Sequence, residues 1–140
     1  MDEGGEGLPD PMTQEEFFRF VTKAAGELEV VFPCALKNVA LCVAWNPSRA
    51  QCRESELDPE ETLLGLFEGI PRVERTFGEG WVLPDKITLF IDPILDECDE
   101  TGRSMQDIVR SVLWHEAAHL LGLEEGRALE AERRRLEERV

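Results

Sequence analysis

Ser104-Met105-Gln106-Asp107-Ile108-Val109-Arg110-Ser111-Val112-Leu113-Trp114-His115-Glu116-Ala117-Ala118-His119-Leu120-Leu121-Gly122 is the stretch on which the fold turns. Ser104, with Asp107 three residues on, reads as a capping-box-like start, and Gly122 is placed to end the element as a left-handed C-cap. Between them Ile108, Val109, Val112, Leu113, Trp114, Ala117, Ala118, Leu120 and Leu121 cover most of a helical circumference. A helix that is apolar nearly all round is buried. The rest of the chain must therefore supply layers on more than one side of it.

Toward the N-terminus, residues 1–12 are rich in Gly and contain Pro9-Asp10-Pro11, which predicts a flexible leader. Thr13-Gln14-Glu15-Glu16 is a capping box. Phe17, Phe20, Val21, Ala24 and Leu28 follow at spacings of three and four, an amphipathic helix that ends before Pro33. From Asn38 to Trp45 the period changes to two, with both faces apolar, so this strand is expected to be central in its sheet or overlaid by helices. Residues 46–61 read as a long loop, Leu63 to Phe67 as a short strand and residues 78–84 as a turn. Lys86 to Ile91 reads as a strand stopped by Asp92-Pro93. Asp92 and the acidic run from Asp96 to Glu100 read as a solvated loop. Beyond Gly122, Leu129, Leu136 and Val140 make a thin stripe on a solvated terminal helix whose Arg133-Arg134-Arg135 sits among glutamates. The order α-β-β-β-α-α predicts a single α+β domain over residues 13–140. A small β-sheet would pack with an N-terminal helix, the buried helix and a C-terminal helix. A length of 140 residues leaves no room for a second comparable core.

His115-Glu116-Ala117-Ala118-His119 lies on the buried helix in the H-E-x-x-H pattern. Residues four apart share one helical face, so both imidazoles can meet one ion. Zinc takes imidazole nitrogens at roughly 2.0–2.1 Å in a tetrahedral shell. Glu116 lies about 100° round from His115, beside the metal, where it can accept a proton from a water that the ion activates. Two histidines on a buried helix can also be satisfied core residues. These are the only two in the chain, and two placed at random fall four apart roughly once in seventy. Leaving two imidazoles and a carboxylate unpaired in an apolar helix would be costly. Metal binding is the better reading.

With both histidines used, the third ligand is not histidine. The extended pattern H-E-x-x-H-x-x-G-x-x-E places Glu125 where metzincin-type peptidases carry a third ligand, swung back to the metal by the glycine. All three methionines (Met1, Met12, Met105) precede the motif, so the downstream Met turn of a true metzincin is missing. The rival is a glutamate on a later helix, Glu137 or Glu138. As first-turn residues, Glu124 and Glu125 also suit the dipole of the terminal helix.

Composition bounds the partners. Asp+Glu number 30 against 15 Lys+Arg, a net charge of -15. Such acidity disfavours nucleic acid and anionic membrane surfaces. No apolar run reaches the roughly 20 residues that span a bilayer, and the first residues lack a secretory signal, so a cytoplasmic location is expected. Cys34, Cys42, Cys52 and Cys98 show no C-x-x-C pairing and read as free, mostly buried thiols. Lys86 to Ile91, and second Leu63 to Phe67, are candidates for an edge strand that takes an extended substrate by strand addition. Trp81 and Trp114 read as core residues before pocket residues.

Several blocks in order resemble one family. They are Glu15-Glu16-Phe17, Asn38-Val39-Ala40, the run from Leu63 through Gly65, Gly69 and Pro71, the run from Leu83 to Phe90, and the metal motif with Gly122-Leu123. Over roughly residues 13–125 the chain resembles the small bacterial minimal zincins, a family of zinc metallopeptidases of largely uncharacterised function. The resemblance implies a zincin-like fold, a Zn2+ site, peptidase activity and a peptide or protein substrate. Members usually carry an acidic residue where Glu125 stands, which supports it as the ligand. The sequence departs at Leu120, where a further histidine is common, and in its long Arg/Glu-rich tail. With no tyrosine and no third histidine to stabilise an oxyanion, Arg72 or Arg75 would have to act instead. That gap keeps open a catalytically inactive, metal-stabilised protein-interaction module. A metal-dependent nuclease is a weaker reading, opposed by the charge.

Overall fold

Thr13 starts the first helix by the exchange its sequence predicts. Its Oγ1 accepts from the Glu16 amide at 3.0 Å, while Glu16 Oε1 accepts from the Thr13 amide at 2.9 Å. The computed structural model describes residues 12–55, 63–69 and 85–138. Helix α1 (Gln14–Val31) buries Phe17, Val21, Ala24 and Leu28, one stripe, and ends at Phe32 ahead of Pro33. The expected leader and the turn at 78–84 lie outside the described residues.

Strand β1 (Val39–Ala44) comes next, then a short helix α2 (Arg49–Glu54) inside the span read as loop. Its signal was present: Ser48 and Gln51 form a second capping box, with bonds of 2.9 and 3.0 Å. Strands β2 (Gly65–Glu68) and β3 (Asp85–Phe90) complete a three-stranded sheet of order β1-β3-β2. β1 runs parallel to β3, Leu41 opposite Ile87. β2 runs antiparallel to it, Phe67 opposite Ile87.

This order corrects two expectations. β1 lies at an edge of the described sheet and is half-buried throughout, whereas β3 is central and buries Ile87, Thr88, Leu89 and Phe90. Alternation shows that a strand has two apolar faces, but not which strands flank it. The first candidate for an edge strand is therefore the middle one, and the second, β2, is at the edge.

Helix α3 (Ile91–Thr101) follows β3 without a loop and replaces the expected acidic loop. Asp92-Pro93 stops the strand, but proline is tolerated in a first helical turn. Ile91, Pro93 and Ile94 are buried, the acidic residues line the outer face, and Gly102 closes the helix at φ 75°. The end of β1 holds its start: the Asp92 amide donates to the Trp45 carbonyl at 3.0 Å and Asn46 Nδ2 to Asp92 Oδ2 at 2.9 Å.

Helix α4 (Met105–Leu121) is the buried helix, capped by Ser104 through the Asp107 amide at 3.1 Å. α1 covers one side of it. The Trp114 indole, fully buried, donates to the Ala24 carbonyl at 3.0 Å. Arg110 reaches Glu27 with two bonds, 2.9 and 3.1 Å, and Asp107 with a third at 2.9 Å. Arg110→Ala leaves the Glu27 carboxylate without its partner at a mostly dry contact. It is expected to lower the unfolding free energy by about 2 kcal/mol, read by urea denaturation. A loss of a few tenths would mean that the pair is solvated.

Helix α5 (Leu123–Glu138) turns back along α4, and Gly122 between them has φ 97° and ψ 179°. The glycine is needed for its positive φ, yet the extended ψ makes it a link between helices and not a left-handed cap. α5 buries Gly126 and Leu129, so it is less solvated than its composition implies. Cys34 and Cys52 are exposed, Cys42 and Cys98 half-buried, and all four are free. The expectation of mostly buried thiols does not hold.

Candidate metal centre and active site

His115, Glu116 and His119 share the last two turns of α4. Ala117 packs into the core beneath them and the two rings emerge on the exposed side. The imidazole centroids stand 5.2 Å apart at 74° to one another. One ligand atom from each of the three residues lies within 4.8 Å of the others, in the His-Glu-His donor set that zinc favours. The residues present fit such an ion.

Glu116 is held apart from solvent by β2. Its Oε1 accepts the Phe67 amide at 3.0 Å. The approach depends on Gly65: a Cβ there would stand 2.5 Å from Val112 Cγ1 and 3.5 Å from Glu116 Cγ. Burial pushes the Glu116 carboxyl above its ordinary range, while the two imidazoles and the Phe67 amide pull it down. A carboxylate raised in this way is suited to taking a proton near neutral pH.

A groove of about 630 Å³ opens beside the histidines, walled by Ala118, Leu123, Gly126 and Glu130. Gly126 lets α5 close onto α4, since a Cβ would meet the Ala118 carbonyl and Cβ at 3.1 Å. The expected third ligands lie elsewhere. Glu125 is exposed in the first turn of α5 and outside the His115–Glu116–His119 cluster. The Glu137 carboxylate is engaged by Arg133 at 3.1 Å and Arg103 at 3.4 Å, and Glu138 is exposed at the end of α5. The carboxylate that does approach a histidine is Glu130, whose Oε2 stands 3.6 Å from His115 Nδ1. Its signal was the spacing Gly122, Gly126, Glu130, one residue per turn on the face where small residues admit a close neighbour. Trp114 is a core residue, as expected. Arg72, Arg75 and Trp81 lie outside the described residues.

A family model described as zincin-like metallopeptidase matches residues 36–135, more than half of the chain. The chain belongs to this family. The match takes in the sheet, the metal motif and most of α5, whereas α1 precedes it. In this zincin-like metallopeptidase α1 is thus added outside the matched region, joined through Arg110 and Trp114 to the back of the motif helix. A comparison with curated proteins finds no match. Among the described residues no helix is long and apolar enough to cross a membrane.

Proposed function

We propose that the protein is a zinc-dependent peptidase in which His115 and His119 hold the ion and Glu116 is the general base. The convergence of those three side chains within 4.8 Å supports this most directly, with Glu116 steadied by Phe67. Zinc, when bound, polarises the substrate carbonyl and makes water nucleophilic near neutral pH. Glu116 takes the proton of the attacking water and returns it to the leaving amine. β2, at the edge of the described sheet and against Glu116, is the strand for an extended peptide to join. Glu125 is the proposed third ligand, on the strength of the Gly122 turn; from its exposed position it has to swing toward the histidines as the ion binds. Peptide or protein substrates, no nucleic acid, no membrane and a cytoplasmic location complete the reading. An inactive metal-stabilised interaction module is the second reading, favoured by a chain that has no tyrosine and only two histidines.

Metal analysis of protein purified without added zinc tests the site. About one zinc per chain is expected, falling nearly to zero in His119→Ala. A content well below one that His119→Ala leaves unchanged would remove both readings. Glu125→Ala and Glu137→Ala, each assayed for zinc retention, assign the third ligand: loss is expected in the first and not in the second.

A further inference from the structure

The Glu130 carboxylate is half satisfied. Oε1 accepts from Arg133 Nε at 2.8 Å. Oε2 is shielded from solvent and has no hydrogen-bond partner, a costly state for a carboxylate oxygen. The facing group is His115 Nδ1 at 3.6 Å, which is longer than a hydrogen bond. His115 is the mobile partner, its side chain 66% exposed against 21% for Glu130. A small turn of the ring closes the gap, and bonds of this kind are often long before the site is filled.

Glu130 itself is not free to turn away. Arg133 NH1 binds both oxygens of Glu137, at 3.1 and 3.2 Å, and Glu137 Oε1 also receives Arg103 at 3.4 Å. The series Arg103, Glu137, Arg133, Glu130 fixes one carboxylate oxygen and aims the other at His115. Gly126, one turn before Glu130, sets how closely this arrangement approaches α4.

We propose that Glu130 is a positioning residue for the metal site: its Oε2 accepts the proton of His115 Nδ1 and leaves Nε2 bare as the donor to the ion. An imidazole without such a partner can place its proton on either nitrogen, and one of the two forms cannot bind metal through Nε2. Orienting carboxylates of this kind are usual behind zinc-bound histidines, and their loss weakens binding 10–100-fold. The inference rests on the reading of His115 as a ligand, but the position of the proton can be read without metal.

Nitrogen-15 NMR of the metal-free full chain, at a pH where the ring is neutral, identifies the protonated nitrogen of His115. The native protein is expected to show Nδ1–H and Glu130→Ala mainly Nε2–H. Glu132→Ala is the control, since it removes a comparable ion pair of the same helix, to Arg135 at 2.8 Å, and is expected to match the native protein. Chelator competition should then give a zinc dissociation constant about 10–100-fold higher for Glu130→Ala, and unchanged for Glu132→Ala. An Nε2–H ring in the native protein, or the same tautomer in native and Glu130→Ala, overturns the proposal. A changed tautomer with unchanged zinc affinity overturns the role in metal binding. Should the native protein bind no zinc, the zinc reading fails, and the NMR comparison still decides whether Glu130 sets the tautomer.

Discussion

Glu116→Gln is expected to slow peptide cleavage about 10²- to 10⁴-fold, the usual worth of a positioned general base, while about one zinc per chain is retained. Glutamine keeps the shape of glutamate, and its Oε1 can still accept the Phe67 amide. The variant therefore removes the proton acceptor and little else. The loss should fall on kcat with KM nearly unchanged, as for a group that acts in the transition state. A collapsed site would mimic the effect, and stability excludes that explanation. Burial holds the Glu116 carboxyl above its ordinary range, so ionisation is harder in the folded than in the unfolded chain. For a raised carboxyl the destabilisation is absent below the unfolded pKa and complete above the folded one. Near pH 7 the neutral amide escapes it, and metal-free Glu116→Gln should melt no lower than the native protein. Equal cleavage by the two would take the catalytic role from Glu116 and favour the inactive module.

Trp114→Ala is expected to cost about 3–5 kcal/mol of stability, a large part of the roughly 5–15 kcal/mol available to a domain. Trp114 is fully buried and is the largest such side chain among the described residues. Its truncation leaves a cavity between α4 and α1 and removes the indole bond to Ala24. Trp114→Phe fills most of that space and should cost about 1–2 kcal/mol, chiefly the lost bond and the reduced area. Urea denaturation of both variants measures the difference. A loss below about 1 kcal/mol for Trp114→Ala would mean that α1 does not hold the motif helix from behind.

The motif was legible because its geometry is local. Two histidines four apart on a helix face the same way in any fold that keeps the helix. The capping boxes at Thr13 and Ser48 are local in the same sense, and the second went unread only because Pro47 and Pro59 made its surroundings look like loop. Helix α3 was hidden by Asp92-Pro93, a pair that ends a strand and opens a helix equally well.

What lay beyond the sequence is whatever depends on neighbours distant along the chain. Period-two alternation marked β1 and β3 as strands, but the partners that put β3 in the centre and β2 beside Glu116 come from pairings across long connections. Likewise the acidic composition of α5 pointed to solvent. The direction of α5 after Gly122, and the fit of Gly126 against Ala118, set Glu130 opposite His115 and left Glu125 outside the cluster. Residue type and short spacing therefore specified the helix, its two imidazoles and its carboxylate, through i to i+4 geometry. The choice of which other carboxylates and amides meet them came from packing between elements, because close approach is set by side-chain volume at contacts that no local pattern encodes.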